Sequence, residues 1–293
     1  MRLLPARLLP SLATGLLLGL AALPQVPAPA RAEAPAAARG AEVGELVRLL
    51  QVEALFEVIS EEGHAYGADI EAAMFPGRGS LPWARELARI YDPRAMAADF
   101  AEALAQALGQ DQATIAAAEA FFASEAGRRI TGLEVEARRL MVGDDAREAA
   151  EVAAEKMTAT RDPLLRRIRR LIETGDLVEQ NVAGSLTGFF AFNEGMEAAL
   201  PAALRRPAED LMAQVRAQEG QSRVDTTNWL VAYMALAYAP LAETELDALI
   251  DFTGSEAGQA LNAALFQAFD AVLTPRLRAL GFAAGQTMTA MDI

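Results

Sequence analysis

Phe121-Phe122-Ala123-Ser124-Glu125-Ala126-Gly127 returns 131 residues later as Phe252-Thr253-Gly254-Ser255-Glu256-Ala257-Gly258. Two shorter matches keep the same order. Gly44-Glu45-Leu46-Val47 pairs with Gly175-Asp176-Leu177-Val178 at the same offset, and Glu61-Glu62-Gly63 finds Asn193-Glu194-Gly195 one residue out of register. Self-similarity at one spacing predicts a duplicated unit, with copy 1 over residues 43–160 and copy 2 over residues 161–293.

The repeated phrase, Phe-x-x-Ser-Glu-Ala-Gly, has a physical reading. Ile115, Ala118, Phe121 and Phe122 precede it with helical spacing, and Ala126, Ile130, Leu133, Ala137 and Leu140 follow it on a second apolar face. Between two such faces, Ser124 can accept a free amide of the following first turn, and Glu125 suits the positive end of that helix. Gly127 and Gly258, without side chains, let another backbone come close. The phrase therefore predicts a corner between two helices. The alternative is one continuous helix with Ser and Gly on its surface.

Composition agrees with helices. Hydrophobic residues make up 53% of the chain, much of it alanine, while aromatics are 6%; alanine has the highest helix propensity, and the residues that favour strands are sparse. The expected fold is all-α, two tandem related multi-helix domains. Cysteine is absent, so no disulfide helps to hold the fold.

Residues 1–32 read as a secretory signal: Arg2 and Arg7 begin it, an apolar run extends from Leu8 to Leu23, and Ala30-Arg31-Ala32 offers a small-x-small cleavage site. The run is short for a membrane span, although an uncleaved anchor is the alternative. A periplasmic or secreted protein cleaved after Ala32 is the expectation, with residues 33–42 as a flexible Ala/Pro-rich lead-in. Loss of the three signal arginines takes the net charge from −14 to −17, which disfavours nucleic acid and anionic membrane surfaces as partners.

Helix-start signals recur at Asp92-Pro93, Asp111 and Asp162-Pro163, where aspartate can cap and proline suits the first helical position. After the first start, Met96, Phe100, Leu104 and Leu108 mark a buried face. Periodicity and breakers further predict a first helix over residues 43–60 and short pieces with a Pro/Gly loop through residues 63–82. Other helices are expected over 145–158, 226–239 and 255–272, with a break at Pro275 and a short helix and loose tail over 281–293.

Few residues invite a chemical role. His64 is the only histidine; beside Glu61 and Glu62 it suggests a metal or acid–base site, but the three cannot share one helix face, and a surface histidine in a loop is the plainer reading. Asp144-Asp145 reads as helix capping and lacks the alternating oxygen ligands of a calcium loop. No nucleophile elbow, zinc helix or phosphate loop occurs. Arg161, Arg166, Arg167, Arg169 and Arg170 form a basic cluster that either pairs with acids such as Glu173 and Asp176 or docks an acidic partner. Phe189, Phe190, Phe192, Trp229, Tyr233 and Tyr238 are core, or else line an apolar cavity.

The stretch from Leu241 to Leu261, an acidic Leu-rich helix followed by Phe252-Thr253-Gly254-Ser255-Glu256-Ala257-Gly258, resembles an uncharacterised family of exported bacterial all-helical proteins, a domain of unknown function. The stretch from Ile115 to Ile130 resembles it more weakly. The family pattern carries Ser-Pro-Glu-Gly or a close variant at the corner; here Glu256 stands where relatives carry proline, and Ala242 where they often carry a capping Ser or Thr. The resemblance implies export and an all-α fold, and supplies no activity and no catalytic residues. Catalytic, cofactor-binding and metal-binding residues are accordingly expected to be none. The functional expectation is a non-catalytic module binding a periplasmic protein or envelope component. A hydrolase using acidic residues, or a carrier of an apolar ligand, is the alternative.

Overall fold

The computed structural model describes residues 43–77 and 81–289. The expected signal sequence (residues 1–32), the expected lead-in (33–42), residues 78–80 of the Pro/Gly loop and the last four residues lie outside the described residues. The fold is all-α: among the described residues there are twelve α-helices and no strand. They are α1 (Gly44–Leu49), α2 (Val52–Met74), α3 (Leu81–Ile90), α4 (Pro93–Leu108), α5 (Gln112–Phe122), α6 (Glu125–Leu140), α7 (Asp144–Thr160), α8 (Pro163–Thr174), α9 (Leu177–Ala199), α10 (Ala208–Tyr238), α11 (Glu243–Gly254) and α12 (Glu256–Thr289). A 3₁₀ turn, Ala202–Leu204, links α9 to α10.

Local chemistry accounts for many of the boundaries. Asp92 Oδ1 accepts the amides of Arg94 and Ala95, Asp111 Oδ1 that of Thr114, and Asp162 Oδ1 that of Leu164. Each is an aspartate cap satisfying amides that the helix leaves free. Gly143, in extended conformation, precedes α7, so Asp144 and Asp145 fall in its first turn rather than at the cap. The phrase that opens the sequence forms the same corner twice. Ser124 Oγ accepts from Gly127 N at 3.0 Å and donates to Phe121 O at 2.6 Å. Ser255 repeats both bonds, with Gly258 and Phe252, at the same distances. A Cβ on Gly127 would lie 2.2 Å from the Phe121 carbonyl oxygen, and one on Gly258 1.9 Å from that of Phe252. The backbone that approaches these glycines is thus the end of the preceding helix. Gly254 closes α11 as a helical residue, not in the left-handed conformation that a glycine past a helix end often takes.

Four helices differ from the sequence expectation, among them α10, which starts at Ala208 and not at 226. The first apolar run is split, because Gln51 takes a left-handed conformation (φ 52°) between α1 and α2. α2 then runs through Gly63 and Gly67, which act as packing notches and not as breakers. A Cβ there would lie 2.5 Å from the Tyr91 ring or the Leu87 side chain. α12 continues through Pro275. Proline brings no amide hydrogen to that turn, and in the same turn the Arg276 guanidinium donates to the Val272 carbonyl at 2.8 Å.

The two shorter sequence matches do not coincide in the fold. Gly44 opens α1, whereas Gly175 follows the end of α8; Gly63 lies in the middle of α2, whereas Gly195 lies in the last turns of α9. The corners themselves meet. Phe121 and Phe252, the first residues of the two phrases, stack with ring centroids 4.4 Å apart and planes within 4°.

Around this stack lie two apolar cores, and both take residues from each side of position 160. One joins α1 to α5 with α12, from Leu261 to Ala284, and with Phe192 and Met196 of α9, and Phe56, Phe100 and Phe269 meet in it. The other joins α6 to α8 with α10 and α11. Phe121 packs against both. α12 crosses α9 closely: the place of a Cβ on Gly195 is 2.0 Å from the Arg278 carbonyl oxygen, and that on Gly281 is 1.9 Å from the Phe192 carbonyl oxygen.

Candidate functional site: a polar cleft between α2, α7, α8 and α10

The buried face of α6 departs from simple apolar periodicity. Ile130 and Ala137 are buried, but Leu133 is only partly buried and Leu140 is 50% exposed. The buried stripe runs instead through Ile130, Glu134 and Arg138, at successive spacings of four, which align on one helix side. Two charged groups therefore enter the interior, and each needs a partner there.

Arg138 meets Glu62 of α2 as a two-pronged pair. Nε donates to Oε1 at 3.0 Å and Nη2 to Oε2 at 2.8 Å, with side-chain exposures of 3% and 9%. Burial pushes the Glu62 carboxyl above the usual range, against the pull of Arg138. One turn earlier on α6, Glu134 Oε1 accepts the Tyr238 hydroxyl at 2.5 Å, and its backbone carbonyl accepts the Tyr233 hydroxyl at 3.0 Å. Burial pushes the Glu134 carboxyl up to about 7, opposed by the Tyr238 bond. This network ties α2, α6 and α10 together.

Glu62 also forms part of the floor of a cleft of about 1260 Å³. Its walls come from α2 (Tyr66, Asp69), α7 (Glu151, Glu155), α8 (Arg169, Glu173) and α10 (Asp225, Trp229). Trp229 is held flat against Tyr233, ring centroids 4.9 Å apart and planes within 14°. Glu134 and Arg138 lie behind this surface, within the protein.

Of the residues singled out in sequence, Glu62 alone of its trio reaches this place. Glu61 and His64 are exposed on α2, and His64 Nδ1 lies 2.7 Å from the Ser60 carbonyl oxygen. The histidine is on the surface as expected, but on a helix and not in a loop. Among the described residues, no group of three His, Cys, Asp or Glu side chains is placed to hold a metal ion. In the arginine cluster, Arg167 pairs with Glu243 at 2.7 Å and Asp247 at 3.0 Å on α11, whereas Arg169 lines the cleft. The aromatic set is divided: Phe192 belongs to the first core, and Trp229, Tyr233 and Tyr238 belong to the second. Of the six, Trp229 lines the cleft.

Sequence reasoning passed over Glu134, Arg138 and Tyr66. The one available signal was the Ile130-Glu134-Arg138 spacing, which continues an apolar stripe into two charges; long charged side chains on helices usually face water, so the pattern reads as surface. The chain matches no family model, no curated protein and no solved structure.

Proposed function

We propose that the chain is an exported, non-catalytic helical module that binds a protein or envelope component in the cleft between α2, α7, α8 and α10. The observation that carries the reading is the cleft itself, about 1260 Å³, larger than the ~300–1,000 Å³ of small-molecule pockets. The two buried carboxyls at and behind its floor already have partners. Arg138 holds both oxygens of Glu62, and Glu134 is 4% exposed and bonded to Tyr238. An apolar carrier would need a lining without charge, whereas Asp69, Glu151, Glu155, Glu173 and Asp225 edge this cleft.

Export rests on the signal pattern of residues 1–32 and the resemblance at Leu241 to Leu261. No helix among the described residues is long and apolar enough to cross a membrane. The repeated corner and the stacking of Phe121 on Phe252 support the view that the two halves arose by duplication of one unit.

The test places a photo-crosslinking amino acid at Thr158, on the cleft wall, and separately at Leu204, which is 67% exposed and elsewhere. Irradiation of cells carrying the exported protein should link one envelope protein from position 158 and not from position 204. Equal or absent crosslinking at both positions overturns the proposal.

A further inference from the structure

The chemistry of the cleft narrows what it can hold. Seven carboxylates line it: Glu62 and Asp69 on α2, Asp144, Glu151 and Glu155 on α7, Glu173 on α8, and Asp225 on α10. Glu62 is held by Arg138 behind the surface and Asp144 by Arg147, which leaves five carboxylates facing one further guanidinium, that of Arg169. Acidity of this kind is often only a solvated surface, and three further features set this cleft apart. Asp225 Oδ1 accepts from Gln221 at 2.8 Å, but its Oδ2 is buried with no hydrogen-bond donor. Such an oxygen is costly unless a donor reaches it. Tyr66 is 5% exposed and Trp229 8% exposed, and both line the cleft. Each carries one donor group, the Tyr66 hydroxyl and the Trp229 indole N–H.

The cleft therefore offers carboxylate acceptors on several walls, one with an oxygen that no donor reaches, together with two nearly buried aromatic residues, on α2 and α10, that carry donor groups. A ligand that answers both needs carries cationic groups for the carboxylates and carbonyl oxygens for the phenol and indole. A peptide segment containing Lys or Arg has both, and an indole fixed by stacking on Tyr233 is a suitable face for a cation.

We infer that the cleft binds a basic peptide segment of a protein partner, an inference that rests on the binding reading above and names its ligand class. Asp225, Glu151 and Glu155 take the cationic side chains, while Tyr66 and Trp229 hold backbone carbonyls.

Trp229 supplies the readout. The chain has two tryptophans, and Trp83 is 3% exposed and packed edge-on against Phe75. The probes are a blocked Lys/Arg decapeptide, the same peptide with each basic residue replaced by glutamine, and spermine. At low salt the basic peptide should change the fluorescence saturably, and Trp229→Phe should abolish that change. Affinity should fall about tenfold or more with Glu151→Gln/Glu155→Gln, two exposed positions that leave the core alone, and again on raising salt from about 0.05 to 0.5 M. The glutamine peptide should give no signal.

Equal binding of the neutral peptide, no binding of the basic one, or an unaffected acid variant overturns the inference. Spermine binding as tightly as the peptide overturns the peptide assignment in favour of a free polycation. The two levels of claim separate cleanly. If the Thr158 crosslink to a partner forms but basic peptides neither bind nor compete, the ligand class is wrong and the binding reading stands. If basic peptides bind but position 158 captures nothing, it is the binding reading that falls.

Discussion

Glu134 lies between α6 and α10, 4% exposed, with the Tyr238 hydroxyl at 2.5 Å as its side-chain partner. In the unfolded chain its carboxyl titrates near 4.5, and in the fold burial moves this to about 7. Between those values the native state holds a proton that the unfolded chain has released. Its contribution to stability is therefore complete below about pH 4.5 and is lost as pH rises through about 7, an effect on the order of 3 kcal/mol. Glu134→Gln keeps a carbonyl acceptor for Tyr238 and removes the charge. Urea unfolding at pH 5 and pH 8 should show the wild type losing stability relative to the variant as pH rises. Parallel pH profiles would mean that the carboxyl is not titrating inside the protein. Glu62 shifts in the same direction, but Arg138 gives it a countercharge. A buried pair of this kind costs much to break and adds little net stability, and it fixes which face of α6 meets α2.

At the scale of elements, glycine has opposite meanings in two long helices. In α9, Gly195 faces the Arg278 carbonyl oxygen of α12, 2.0 Å from the position of a Cβ. In α10, Gly220 is exposed with nothing within 4 Å of that position. Gly195→Ala forces two backbones apart and should cost about 1–3 kcal/mol or more, as overpacking does. Gly220→Ala should stabilise by up to about 1 kcal/mol, the helix-propensity gain. Thermal unfolding of the two variants reads both signs, and a destabilised Gly220→Ala or a neutral Gly195→Ala would contradict the packing. The same distinction explains the longer helices. Gly63, Gly67 and Pro275 are breakers by local propensity, yet Tyr91 and Leu87 fill the two notches, and α12 continues past its proline against α4 and α9.

For the whole molecule, the cores decide how separable the halves are. Phe269 of α12 packs on Phe56 and Phe100 of the first half, and Tyr233 and Tyr238 of α10 bond to Glu134 of the first half. Each half thus completes a core with helices from the other. Residues 43–160 and 161–293 produced as separate chains should each lack cooperative unfolding, and mixing them should restore it, as followed by near-ultraviolet circular dichroism. A fragment that unfolds cooperatively alone would show that its core is self-sufficient.

Local chemistry in the sequence was enough to determine the helical class, the aspartate caps at 92, 111 and 162, and the serine corner, because each depends on atoms within a few residues of one another. Ser124 and Ser255 need only the amide three residues ahead. Tertiary structure decided the rest. Phe121 stacks on Phe252 across 131 residues, Glu62 finds Arg138 across 76, and the cleft takes its walls from four helices. Helix periodicity reports the direction of a side chain around its own axis and not what stands opposite. Apolar stripes could therefore be read one helix at a time, whereas the placement of Glu134 and Arg138 inside the protein depended on how α6 is turned against α2 and α10.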